Sequence, residues 1–193
     1  MEKLEKVIII KKGHNWPLND PMIPTMGTIW KRSFVFTNSC LYPIKGYSYG
    51  INKLWGISGM PYHKRNSVRV CWLPTEDGNS IQLYATSYVN GVREIRKSTI
   101  VKPGDVVDCL ISNQGDNASV CINGVCTTFK VRIPFVTYML KVYFGGIPAS
   151  PQDIYILRVS KPQRTFSFKD FLTRVKAFLG VGNPSMEELL RTT

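Results

Sequence analysis

The sequence predicts an all-β protein, an antiparallel sandwich or barrel with an extended N-terminal arm and a short C-terminal helical appendage. Short runs rich in Val, Ile, Phe, Tyr and Thr alternate with polar residues at period two, and turn-forming clusters separate them roughly every 8–12 residues. Two Asn-Gly dipeptides, Asn90-Gly91 and Asn123-Gly124, lie between such runs. Both central positions of a type I′ turn need positive φ, which Asn and Gly adopt with least strain, so each marks a hairpin. No helical periodicity interrupts the pattern before Thr165. About eight to ten strands without intervening helices make a sandwich or barrel, not an α/β layer.

Taken in order, VIII (7–10) is a first strand. Residues 13–27, with three prolines and no periodicity, read as an arm or surface loop. In IWKRSFVFTNS (29–39), Trp30, Phe34 and Phe36 share one face. The stretch NKLWGISGMPYHKRNS (52–67) reads as a turn-rich connection, with Gly56, Gly59 and Pro61 as its turn residues and Lys-Leu-Trp as its anchor to the core. SVRVCWLP (67–74) puts Val68, Val70 and Trp72 on one face and Arg69, Cys71 and Leu73 on the other. SIQLYATSYV (80–89) sets Gln82, Tyr84, Thr86 and Tyr88 opposite Ile81, Leu83 and Ala85. Further strands fall at 105–112, 137–146 and 153–160.

The period changes in SFKDFLTRVKAFLGVG, where Phe168, Phe171, Leu172, Val175, Phe178 and Leu179 recur at helical spacing. Ser167 with Asp170 resembles a capping box, and Asn183-Pro184 opens a second short helix. The expected organisation is an N-terminal strand and proline-rich arm over 1–28, a sandwich over 29–160, and basic amphipathic helices over 161–193.

Lys and Arg number 25 against 13 Asp and Glu, a net charge of +12. That surplus suits an anionic partner or a solvated basic surface. Its densest cluster is Arg158, Lys161, Arg164, Lys169, Arg174 and Lys176, which with Phe171 forms a candidate partner-docking surface. No zinc-finger pairs, helix-turn-helix pattern or RNA-binding aromatic signature accompanies it, so nucleic acid is not the expected primary partner. No apolar run approaches the ~20 residues that span a bilayer, and the first dozen residues lack the apolar core of a secretory signal.

None of the five cysteines belongs to a C-x-x-C pair, so no zinc framework is expected. Around Asn123-Gly124, Cys121 and Cys126 face each other across the hairpin at a non-hydrogen-bonded position, where side chains approach closely. They are either two thiols held reduced in a cytosol or a cross-strand disulfide formed in an oxidising setting. Asn113, Asp116 and Asn117 offer oxygen donors, yet one carboxylate in SNQGDNAS fits an ordinary turn better than a calcium loop. No metal and no cofactor are expected.

Catalytic machinery is sparse at this level. His14 and His63 are the two histidines, there is no G-x-S-x-G or H-E-x-x-H, and Asp105 and Asp108 fall on opposite strand faces. The expectation is a non-enzyme. A ligand platform is better supported, since Tyr84 and Tyr88 share a polar face and Trp55, Tyr62, His63 and Lys64 lie in the 52–67 stretch.

KRSFVFTNSCLY, INKLWGIS, HKRNSVRVCW, IQLYATSYVNGVR and YFGGIPASPQDIYI together resemble a group of uncharacterised single-domain β-sandwich proteins of Bacteroidetes and their phages. YFGGIP is also similar to the closing strand of laminin-G and concanavalin-like sandwiches. The resemblance covers about residues 29–158 and implies a jelly-roll fold and a viral setting, not a reaction. With the terminal segments as docking devices, the expected role is a virion-associated subunit, capsid-decorating or tail-associated. It would be made in the host cytoplasm and contact other virion proteins as a homo-oligomer or within an assembly. The alternative is a lectin-like module binding host surface polysaccharide through Trp55, Tyr62, His63, Lys64, Tyr84 and Tyr88.

Overall fold

The computed structural model describes residues 3–44, 50–59, 63–145 and 149–160. Over these the chain forms β1 (Lys3–Ile10), β2 (Ile23–Met26), β3 (Ile29–Phe36), β4 (Asn52–Ser58), β5 (Asn66–Pro74) and β6 (Ile81–Val89). There follow β7 (Val92–Val101), β8 (Val106–Gln114), β9 (Asn117–Ile122), β10 (Val125–Phe129), β11 (Val136–Leu140) and β12 (Ile154–Ser160). A 3-10 turn at Asn38–Cys40 is the one helical element among the described residues. The strands make two six-stranded sheets, ordered β1-β12-β3-β8-β9-β10 and β2-β11-β4-β5-β6-β7, with every pairing antiparallel. The predicted C-terminal helices lie outside the described residues.

The core fills the space between the sheets. Trp30, Phe34 and Phe36 from the first sheet meet Trp55, Val70, Trp72, Leu83 and Ala85 from the second. Phe36 packs on Trp72 with ring centroids 5.2 Å apart, and Tyr42 meets Trp72 edge-on at 6.1 Å. Tilted and edge-on arrangements are those the aromatic quadrupole favours. Both hairpins form as expected, with Asn90 and Gly91 at φ 49° and 86° and Asn123 and Gly124 at 48° and 83°. Cys121 lies opposite Cys126 in the register, and the two are joined in a disulfide.

Two segment readings need correction. The proline-rich stretch 13–27 is no free arm, because Ile23–Met26 pairs with β11 as the edge strand of the second sheet. Proline is tolerated there because an edge strand has one row of backbone groups outside the ladder. The preceding residues are tied down too: the Asn15 side-chain amide donates to the Phe144 carbonyl at 3.1 Å, and the Val142 N–H donates to the buried Asp20 carboxylate at 3.2 Å. The second correction concerns 52–67, whose first half is strand β4, paired with β5 and β11 inside the second sheet. A bulge between Lys53 and Trp55 explains why it escaped the alternation test. The extra residue makes Leu54 and Trp55 both buried, so the period of two is lost at that point.

Candidate functional site on the outer face of the second sheet

Cross-strand neighbours share a face, so the register defines the surface turned away from the core. One row runs Gly56, Arg69, Thr86, Ile95; the next runs Ser58, Ser67, Tyr88, Arg93; a third runs Lys53, Cys71, Tyr84, Lys97. Gly56, Ser58, Ser67, Cys71 and Thr86 are buried and form a floor of small groups. Lys53, Arg69, Tyr84 and Tyr88 remain half-buried, while Arg93 and Lys97 are exposed. The face thus combines two phenols with several cations and carries no carboxylate in these rows. The acid of β7, Glu94, belongs to the neighbouring row opposite Ser87 and pairs with Arg96 through a 2.7 Å hydrogen bond.

The turn at 63–65 sets one wall. Backbone bonds from Asn90 N–H to the Arg65 carbonyl (2.7 Å) and from Gly91 N–H to the Lys64 carbonyl (2.8 Å) hold it against the β6–β7 hairpin. The Ser67 hydroxyl donates to the His63 carbonyl at 2.6 Å. His63 consequently stands edge-on to Tyr88, ring centroids 6.5 Å apart. Burial, reinforced by Arg69, Lys64 and Lys53, holds the imidazole below its usual range.

Lys53 and Tyr143 form the opposite wall through an isolated bridge, with backbone bonds of 2.8 and 2.9 Å. The Lys53 ammonium donates to the Gly145 carbonyl at 2.7 Å and sits over the Tyr143 ring at 5.2 Å. Burial lowers its pKa to about 8, with Arg69 and Arg93 adding to the effect. Beyond Tyr143, Trp16 stacks on that ring at 6.2 Å and Lys141 lies over the indole at 5.9 Å. Trp16 is 47% exposed, so part of its indole face is open to solvent.

The residues nominated from sequence separate clearly. Tyr84, Tyr88, His63 and Lys64 belong to this face or its rim; Tyr62 lies outside the described residues. Trp55 is corrected. It is 1% exposed, packs against Phe34 at 6.4 Å under the Arg32 guanidinium, and contacts no surface. The bulge turned it inward. Arg158 lies on the first sheet, bound to Glu5 at 3.0 Å, while Lys161, Arg164, Lys169, Phe171, Arg174 and Lys176 lie outside the described residues. Sequence reasoning missed Lys53, Arg69, Tyr143 and Trp16; only Arg69 had a visible signal, its place opposite Val68 and Val70 in strand alternation.

A cavity of about 220 Å³, lined by Ile9, Lys11, His14, Trp16, Leu18 and Asn19 and mostly apolar, shares Trp16 with the Tyr143 wall. Among the described residues no three His, Cys, Asp or Glu side chains gather as a metal site.

No protein-family model matches the chain, and no curated protein matches it by sequence. Solved structures do match. A polysaccharide lyase of family 18, aly-SJ02, aligns over 81% of this chain and 87% of its own at 9% identity, with a TM-score of 0.51. The alginate lyase from Alteromonas sp. 272 aligns over 80% and 86% at 10% identity, also with a TM-score of 0.51. Carbohydrate-binding module CBM66 from Bacillus subtilis aligns over 72% and 78% at 6% identity, with a TM-score of 0.37. The two lyase matches show the fold class, a jelly-roll sandwich. They also overturn the expectation of a non-enzyme, which rested on the absence of familiar catalytic motifs, since proteins of this same fold include polysaccharide lyases.

Proposed function

We propose that the protein engages a polysaccharide chain across the outer face of its second sheet. The observation that carries this reading is the half-buried pair Tyr84 and Tyr88 above a floor of Gly56, Ser67, Cys71 and Thr86, walled by His63 and Lys53. Sugar rings present flat C–H faces that stack on aromatic rings, and their hydroxyls pair with the Lys, Arg and His donors around them. Exposed Trp16 beside Tyr143 extends the aromatic surface to the far wall. The virion-docking role expected from the terminal segments rests on an arm that pairs into the second sheet and on residues 161–193, beyond those described, and is set aside for this reading.

Binding to immobilised polysaccharides tests it. The wild-type protein should bind at least one glycan class, and Tyr84→Ala with Tyr88→Ala should weaken that binding at least tenfold while leaving the melting temperature nearly unchanged. Failure to bind any glycan, or full binding by the double variant, defeats the proposal.

A second reading adds chemistry, favoured by His63 standing beside Tyr88 with its pKa held down. A neutral imidazole can accept a proton at neutral pH, and a phenol can donate one. On a sugar bearing a carboxyl group, His63 would take the proton from the carbon next to it. That electron pair becomes a carbon–carbon double bond as the glycosidic C–O bond breaks, and the leaving oxygen takes the Tyr88 proton. Ultraviolet absorbance of the unsaturated product is the assay; its absence across acidic polysaccharides removes this reading and leaves the binding one.

A further inference from the structure

The Arg69 guanidinium is charged, half-buried and paired with no carboxylate among the described residues. Its Nε is fully enclosed and has no hydrogen-bond partner among the described residues. None of the ion pairs among the described residues includes Arg69, Lys53, His63, Arg93 or Lys97. Burial lowers the Arg69 pKa, and the groups acting against that effect are Cys71 and Tyr88, neither of them a carboxylate. Leaving a buried charge unpaired is costly, and proteins ordinarily supply a partner.

The floor beneath it is shaped to hold this arrangement. A Cβ added at Gly56 would lie 2.5 Å from Arg69 Cγ, 3.0 Å from Arg69 Cα and closer still to the Val68 carbonyl oxygen. Gly56 is therefore what lets the Arg69 stem lie flat across β4. That posture brings the guanidinium among Lys53, His63 and Tyr88 rather than out into solvent. Beyond burial, the lowered pKa values of Lys53 and His63 have one further cause in common: each feels neighbouring cations, Arg69 among them.

We infer that Arg69, lying over Gly56, is the seat for a carboxylate carried by the glycan, so that the ligand is an acidic, uronate-type polysaccharide. This rests on the polysaccharide reading above and specifies its ligand. A planar fork accepts a planar carboxylate through two parallel N–H···O bonds, which a single point charge such as Lys53 cannot provide. Lys53 and His63 flank that seat, and exposed Arg93, Lys97 and Lys64 supply cations along the chain's path for further carboxylates. Carboxylate binding also returns the missing countercharge, so Lys53 and His63 take up protons as the ligand docks.

The test measures affinity for a polyuronate, for the same polymer with its carboxyls reduced to alcohols, and for a sulfated neutral glycan, at fixed ionic strength. The expected result is at least tenfold tighter binding to the polyuronate than to either other chain. Arg69→Lys should lose about tenfold affinity for the polyuronate and little for the reduced polymer, because it keeps the charge and removes the fork. The polymer comparison needs no variant, so a folding defect in Arg69→Lys leaves the inference exposed to refutation. Equal binding to native and reduced polymers, or preference for the sulfated chain, overturns the carboxylate seat while the polysaccharide reading stands. No binding to any chain overturns both. Calorimetry in two buffers of different ionisation enthalpy should show net proton uptake on polyuronate binding; none would contradict the placement beside Lys53 and His63.

Discussion

Replacing Gly56 by alanine separates two opposed effects. Glycine in a strand interior ordinarily weakens it by about 0.5–1 kcal/mol relative to alanine, so propensity alone predicts that Gly56→Ala stabilises the protein. The structure predicts the reverse. The new methyl would meet Arg69 Cγ at 2.5 Å, Arg69 Cα at 3.0 Å and the Val68 carbonyl oxygen more closely. The Arg69 stem could swing away, but Val68 O and Arg69 Cα are backbone of the partner strand, and relieving them means spreading β4 from β5. Overpacking of this kind costs about 1–3 kcal/mol. Subtracting the propensity gain leaves a net loss of roughly 0–2.5 kcal/mol, centred near 1 kcal/mol. In urea unfolding followed by tryptophan fluorescence, with m of about 2 kcal/mol/M, the midpoint should fall by about 0.5 M at unchanged m. Gly59→Ala provides the comparison: its methyl meets carbons of the Pro134 ring at 2.8 and 3.2 Å, which can shift more easily than a strand, so the loss should be smaller. A Gly56→Ala midpoint equal to or above wild type would refute the close-approach argument and the posture of Arg69 built on it.

Other outcomes follow from the same geometry. Trp55→Ala should lose about 3–5 kcal/mol as a fully buried ring, whereas Trp55→Phe should fold and bind glycan with unchanged affinity; a loss of affinity in the latter would return Trp55 to the site. Cys40, Cys71 and Cys109 are buried, which pushes Cys40 to about 12 and raises the other two. Thiol titration without reductant should find none reactive in the native protein and three after unfolding, while five would contradict the Cys121–Cys126 bridge. Opening that short loop by Cys121→Ala with Cys126→Ala should cost about 2 kcal/mol on the chain-entropy model. Because burial and neighbouring cations lower the His63 pKa, the unfolded chain binds a proton there first as pH falls. The associated stability is whole above about pH 6.5 and is lost on acidification through the folded pKa. Proton NMR of the imidazole should place its midpoint below that of an unstructured histidine, and a midpoint at or above it would contradict the packing around His63.

Local chemistry alone determined the fold class and much of the strand inventory. Alternation in 29–36, 67–74 and 81–89 specified which residues turn inward, and Asn-Gly specified both hairpins, because side-chain period and positive φ are properties of neighbouring residues. The same logic put Tyr84 and Tyr88 on one face and Cys121 opposite Cys126. It failed at β4, where a one-residue bulge cancels the alternation and sends Trp55 into the core. It failed again at β2, whose partner β11 lies more than a hundred residues along the chain. The tertiary structure decided the site. Arg69 reads in sequence as an ordinary outward residue of an amphipathic strand. Only the pairing of β4, β5, β6 and β7 shows that glycine lies beneath it, that Lys53 and His63 close on it, and that the acid of β7 falls in another row. Whether a charge is paired depends on groups brought together through space, and no local pattern records which groups will be missing.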